Sequence, residues 1–212
     1  MGENTKVKKR KCKYDSMKLK IFIFRHGQTY FNRDKRFTGW KDSKLTPRGV
    51  RDAKTVGKAL RNKKIDIAFH SRLSRSKDTL KEVLKFHPEC KRIIEDDRII
   101  ERSYGDLQGQ YHKGFVSRHG ADLLQKYRRA YNFPPPNGES VKMVEKRVNS
   151  FIKELLKMMR KEKVNVAISA HGNSMRPFRK YFEKLTRTEM MKLENPWDKY
   201  FEYSIEVPDE KK

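Results

Sequence analysis

Apolar residues recur along the chain with two alternating periods. Lys18–Phe24 (KLKIFIF), Ile65–Phe69, Lys91–Ile94 and Val164–Ser169 are short apolar stretches, which predicts strands. Between them the period becomes helical. Val50, Ala53, Val56, Gly57 and Leu60 follow Thr46-Pro47, an N-cap oxygen with proline at the first helical position. Leu73–Phe86 reads as a second helix, and Tyr111–Tyr131 as a basic helical region. That region ends at FPPPNGES, residues 133–140, because consecutive prolines cannot continue a helix. From Val141 to Met159, residues Val141, Val144, Val148, Phe151, Leu155 and Met159 fall on one stripe, the signature of a core-facing helix. A further helix follows Val164–Ser169, and Tyr200–Val207 suits a last strand. Glu95–Gln110 reads as an irregular polar segment. This alternation predicts an α/β sandwich with a mostly parallel central sheet.

Composition changes the picture in a few places. Charged residues make up 37% of the 212, apolar residues 35%, and the formal net charge is +25. Such a charge implies acidic partners and steering but does not specify a fold. Part of it lies in Lys6–Lys13, which reads as a solvated basic extension. The expected organisation is therefore a basic, disordered extension over 1–17 and a single catalytic domain over 18–212. Cys12 and Cys90 form neither a disulfide framework nor a zinc spacing, so a reduced, cytoplasmic setting is expected. No apolar run is long enough for a membrane span, and no nucleic-acid-binding motif accompanies the charge. The expected partner is a small anion, not a membrane or a nucleic acid; monomer and homodimer both remain open.

The candidate chemistry sits where two predicted strands end alike, in Arg25-His26-Gly27 and in His171-Gly172-Asn173. Ligands of parallel α/β sheets lie beyond the carboxyl ends of the strands, so both imidazoles are expected to face one crevice. Glycine after each histidine permits a tight turn and close approach to a ligand. The helix after His171 offers backbone N–H groups to a phosphate.

Further segments carry a resemblance. Arg25–Gly49 (RHGQTYFNRDKRFTGWKDSKLTPRG), Ser71–Ser76 (SRLSRS), Glu101–Gly109 (ERSYGDLQG), the Arg128-Arg129 pair and Ala170–Arg176 (AHGNSMR) resemble, in the same order, the motifs of the cofactor-dependent phosphoglycerate mutases of the histidine phosphatase superfamily. The resemblance implies a three-layer, phosphoglycerate mutase-like form of the sandwich. It also implies interconversion of 2- and 3-phosphoglycerate through a phosphohistidine, primed by 2,3-bisphosphoglycerate and without a metal. A histidine phosphatase hydrolysing a phosphorylated metabolite is the alternative.

The same resemblance assigns roles. His26 is the implied nucleophile, His171 lies near the transferring phosphoryl, and Glu101 moves the proton. Arg25 and Arg75 grip phosphate oxygens with permanently charged, forked donors. Arg102, Tyr104, Arg128 and Arg129 are implied to hold the remainder of the substrate. Asn32, Thr38, Gly39, Gly172 and Asn173 complete the pocket, whereas Phe37 and Trp40 are read as packing residues. The family's lysine position falls on His112, with Lys113 beside it, and either is a candidate contact. Asn195-Pro196-Trp197-Asp198 departs from the family pattern.

Overall fold

The computed structural model describes residues 16–208. Its single sheet has five strands: β1 (Ser16–Arg25), β2 (Ile67–His70), β3 (Arg92–Glu95), β4 (Val166–Ala170) and β5 (Tyr200–Pro208). The order is β3-β2-β4-β1-β5, with only the β1–β5 pair antiparallel. The helices are α1 (Tyr30–Arg33), α2 (Pro47–Leu60), α3 (Ser74–Leu84), α4 (His112–His119), α5 (Ala121–Arg129), α6 (Val141–Glu162), α7 (Gly172–Glu183) and α8 (Arg187–Lys192).

The period-2 alternation of β1 builds two cores. Leu19, Ile21 and Ile23 pack with Val144, Val148, Phe151 and Leu155 of α6 and with Met175 and Phe178 of α7. Phe22 and Phe24 point to the other face, against Val56 and Leu60 of α2 and Leu80 and Val83 of α3. Each phenylalanine is almost fully buried, worth about 1.5–3 kcal/mol against exposure. The result is the expected three-layer α/β sandwich. All six residues of the α6 stripe are buried. That helix is capped by Ser140, whose hydroxyl accepts from the Met143 N–H, and ends at left-handed Lys163.

The structure differs from the sequence reading at several places. β1 begins at Ser16, two residues before the expected boundary, because Ser16 and Met17 pair with Pro208 and Val207 of β5. The rest of the basic extension lies outside the described residues. The basic region before the prolines is two helices, since Gly120 at φ +84° turns the chain between α4 and α5. A third, smaller core forms there: Phe37, Leu107 and Phe115, with Tyr104, Leu123 and Tyr127 packed around them. It forms a cap beside the carboxyl ends of the strands. Among the described residues no helix is long and apolar enough to cross a membrane.

Candidate active site

Strand register brings the two histidines together. β1 and β4 are parallel neighbours with Arg25 opposite Ala170, so His26 and His171 each leave the sheet one residue further on. Adjacent strands lie about 4.8 Å apart, and the two ring centroids are 5.0 Å apart. The His26 N–H donates to the Ala170 carbonyl at 3.0 Å, extending the ladder to the point of departure. Gly27 is required here by backbone approach, although not toward a ligand: a Cβ on it would lie 2.1 Å from the Gly49 carbonyl oxygen of α2.

Both rings are buried, and each is oriented by one hydrogen bond. His26 Nδ1 lies 2.8 Å from the Gly27 carbonyl, which can only accept. That assigns the proton to Nδ1 and leaves Nε2 with its lone pair. His171 Nε2 lies 2.8 Å from Ser71 Oγ, while its Nδ1 is buried without a partner. Burial pushes the pKa of both histidines well below 6.5, and the positive charges of Arg75 and Arg25 push in the same direction. Both imidazoles are therefore neutral at pH 7, and a neutral Nε2 is the form that attacks phosphorus.

The two arginines beside them are fixed through carbonyl oxygens. Arg75, on the first turn of α3, donates to the Gly39 oxygen at 2.6 Å and the Lys41 oxygen at 3.2 Å. Arg25 donates to the Asn195 oxygen at 3.1 Å. In both, Nε is buried and unpartnered. These are unspent donors in a cavity that His26 also lines, the arrangement a phosphoryl group needs. Gly39 has φ +55°, and a Cβ there would strike Gln108 and the Tyr104 backbone, so glycine holds the carbonyl that receives Arg75.

Glu101 is buried, and its Oε1 accepts from the backbone N–H of Arg102 at 2.8 Å and of Asn173 at 3.1 Å. The N-terminal turn of α7 therefore spends one of its N–H groups on this carboxylate, not on a ligand. Arg147 of α6 holds the segment from below, donating to the carbonyls of Arg98, Ile100 and Glu101. Donor atoms of His26, Glu101 and His171 come within 4.8 Å of one another, a metal-type grouping that the sequence reading did not anticipate. Arg25 and Arg75 share that cavity, and two fixed positive charges there favour an anion over a dication.

The cavity has a volume of about 190 Å³. Besides Arg25, His26, Arg75 and Glu101 it is lined by Asn32, Thr38, Gly39, Tyr104, Gly172 and Asn173, all expected from the sequence. Arg128 and Arg129 reach it from the last turn of α5, and His112 from the first turn of α4. His112 stands edge-on to Phe37 with centroids 4.5 Å apart, its pKa pushed down to about 4 by burial and then by Arg128 and Lys35. It is a neutral wall.

Lys113, Arg102 and His171 do not line the cavity; His171 is fully buried behind it, beside the His26 ring. Lys113 is exposed. Arg102 is fully buried, lies over the Tyr104 ring and donates to the Tyr127 carbonyl, tying the Glu101 segment to α5. Residues that sequence reasoning left without a role are also present. Arg36, Arg176, Glu194 and Asn195 line the cavity, and Ser71 orients His171. In total six arginines and two glutamates face it.

Comparison with known proteins identifies the family. A family model described as the histidine phosphatase superfamily (branch 1) matches residues 21–206. A 2,3-bisphosphoglycerate-dependent phosphoglycerate mutase of Cytophaga hutchinsonii is 40% identical over 166 residues, 78% of this chain and 78% of that protein. A phosphoglycerate mutase of Schizosaccharomyces pombe is 37% identical over 179 residues, 82% of this chain and 84% of the relative. Among solved structures, a mycobacterial glucosyl-3-phosphoglycerate phosphatase superposes with a TM-score of 0.76 at 23% identity, covering 89% of this chain and 91% of its own.

Proposed function

The chain belongs to the histidine phosphatase superfamily, and from that premise we propose that it is a phosphoglycerate mutase acting through phosphohistidine 26. The observation that carries this reading is the second cationic cluster. Arg128 and Arg129 line the same cavity as His26 but arise from α5, away from the reacting imidazole; Arg129 is paired with Glu194 at 2.9 Å, while Arg128 has no carboxylate partner among the described ion pairs. A simple phosphate ester needs one anion site. A phosphoglycerate, with a phosphate and a carboxylate, needs two. The cavity volume of about 190 Å³ is below the ~300 Å³ at which drug-sized pockets begin, which favours a triose-sized substrate over a bulky ester.

In this reading the Nε2 lone pair of His26 attacks phosphorus while Arg25 and Arg75 neutralise the equatorial oxygens. Glu101 exchanges a proton with the substrate hydroxyl, and His171, neutral and buried, packs beside the transferring group. 2,3-Bisphosphoglycerate, when bound, supplies the priming phosphoryl group. Arg25 and Arg75 would hold one of its phosphates, and Arg128 and Arg129 the opposite anionic end. The mutase names of the relatives, at 31–40% identity, support the same reading.

The test is an enolase-coupled assay with 3-phosphoglycerate, run with and without the bisphosphate. The expected result is primer-dependent isomerisation that outpaces release of inorganic phosphate. Rapid phosphate release with no isomerisation would replace this reading with hydrolysis of a phosphorylated metabolite.

A further inference from the structure

The turn between α8 and β5 makes an unusual set of contacts with arginines. Three consecutive carbonyls each accept a guanidinium N–H: Leu193 from Arg176 Nε at 3.2 Å, Glu194 from Arg179 Nη1 at 3.0 Å, and Asn195 from Arg25 Nη1 at 3.1 Å. The Asn195 side chain adds a brace. Its Nδ2 donates to the Gly172 carbonyl at 2.9 Å and its Oδ1 accepts from Arg179 Nη1 at 3.1 Å. Arg179 is itself fixed by an ion pair with Glu183 at 2.9 Å. Two residues on, the Trp197 ring lies 5.0 Å from the Arg25 guanidinium carbon.

These contacts share a chemical property. No carboxylate pairs with Arg25 among the described ion pairs; it is held by a carbonyl dipole and an aromatic face. Such partners fix a guanidinium without cancelling its charge. Gly172 lies beside the guanidinium, where a Cβ would make a contact of 3.4 Å with its carbon. The long side chain is therefore confined before any ligand arrives, with its buried Nε still unspent. Asn195 also joins Arg25 to Gly172, the residue after His171: its main-chain carbonyl accepts from Arg25 and its side chain donates to Gly172, so one residue links the segments that carry both histidines.

We propose that the Leu193–Trp197 turn is a positioning element for phosphoryl transfer, with Asn195 and Trp197 as positioning residues that hold Arg25 at the transferring group. The proposal rests on His26 as the phosphoryl acceptor and applies whether the phosphate then returns to a substrate or passes to water. Confinement of Arg25 matters most in the five-coordinate transition state, so its loss lowers kcat more than it raises KM.

The test compares Trp197→Phe with Trp197→Leu, both apolar and bulky but only one with an aromatic face. Hydrolysis of p-nitrophenyl phosphate is the readout, with His26→Ala as the control. Trp197→Leu is expected to lower kcat about 10-fold, as cation–π contacts at desolvated sites imply, with KM within about two-fold. Trp197→Phe is expected to recover most of the loss. Orthovanadate, which adopts the five-coordinate geometry, should lose affinity for Trp197→Leu by a similar factor while orthophosphate does not. Wild-type kcat in Trp197→Leu, or an equal loss in both variants, overturns the proposal. If Trp197→Leu does not fold, Asn195→Ala is read by the same kcat, KM and vanadate criteria. If the wild type releases no phenolate above the His26→Ala control, the same kcat, KM and vanadate criteria are read in the enolase-coupled assay, and acid-labile label from radiolabelled 2,3-bisphosphoglycerate that persists in His26→Ala would instead refute His26 as the phosphoryl acceptor.

Discussion

Arg75 is the group on which the proposed anion site places the greatest demand, and replacing it by glutamine separates the proposed catalytic role from a structural one. Its side chain is fully buried, and burial lowers its pKa from 12.5 to about 10, with Glu101 and Asp42 opposing the fall and Arg25 adding to it. At about 1.4 kcal/mol per pH unit, that fall costs the folded state about 3 kcal/mol. The guanidinium is protonated in both folded and unfolded chains at neutral pH. The cost is therefore fully present there and is relieved only as pH rises through about 10. Arg75→Gln removes it. Glutamine is shorter and has a single nitrogen in place of the two Nη atoms that serve the Gly39 and Lys41 carbonyls, so it reaches one of them and not both. The other, left unpaired, costs about 1–3 kcal/mol. In phosphate-free buffer the variant should therefore match the wild type or exceed it by up to about 2 kcal/mol, which is a rise of zero to several degrees in melting temperature. Its kcat should fall about 10²–10³-fold, as for loss of one preorganised donor. Orthophosphate at 100 times its Kd should stabilise the wild type by about 2.7 kcal/mol and the variant far less. Thermal melts with and without orthophosphate, beside steady-state kinetics, measure all three. A variant that melts well below wild type without anion, and keeps more than a tenth of its kcat, would refute the reasoning and make Arg75 a structural crosslink.

Two further outcomes follow from the histidines. His26 and His171 stay neutral when folded because burial, then Arg75, holds their pKa values well below 6.5, whereas the unfolded chain protonates both. Stability is therefore complete above pH 6.5 and lost as pH falls below it, with a slope approaching ~2.7 kcal/mol per pH unit for two protons. Urea unfolding between pH 7 and 5 measures that slope, and the double variant His26→Gln, His171→Gln should flatten it; an undiminished slope in the double variant counts against the assignment. His112, neutral with a pKa of about 4, offers the cavity no cation. His112→Lys should lower KM for 3-phosphoglycerate about five-fold, as one part-exposed ion pair allows, at some cost in melting temperature from the lost edge contact with Phe37; a raised KM would show that repulsion from Arg128 dominates.

Much of the fold was legible because its strands and long helices carry strong periodicity. β1 and α6 declare themselves by buried residues at spacing 2 and at 3 or 4. α8 escaped because Met190 is its one buried residue, although Thr186 and Glu189 form a capping box that the sequence TRTE already spells out. α1 spans one turn and buries nothing, so no stripe exists to read. The α4–α5 break was hidden because a lone glycine in a helical pattern does not by itself reveal that the chain turns at φ +84°. At the site, local motifs pointed to both histidines and their arginines, but not to residues that act through distant backbone. Ser71 and Arg176 stood inside the quoted segments with no role attached. Asn195 was visible only as a departure, since its contacts span 170 positions to Arg25 and 23 to Gly172.

The same distinction explains why the net charge of +25 says less about chemistry than a few buried guanidiniums. Surface charges are screened within about 8–10 Å at physiological salt, so they govern approach to the site and not bond-making. Inside, Arg25, Arg75, Arg102 and Arg176 all donate to main-chain carbonyls. A carboxylate in each of those places would anchor the side chain equally well but would leave little field for a phosphate. A carbonyl dipole anchors it and leaves the charge only partly offset, by Glu101, Glu194 and Asp42, at the desolvation cost seen in the lowered pKa values of Arg25, Arg75 and Arg176. That cost is tolerable only because the two-sided core of the sandwich holds the strand ends and helix starts in place. The fold thus holds in place a cavity in which six arginines outnumber two glutamates, a net positive charge that the proposed anionic substrate would balance.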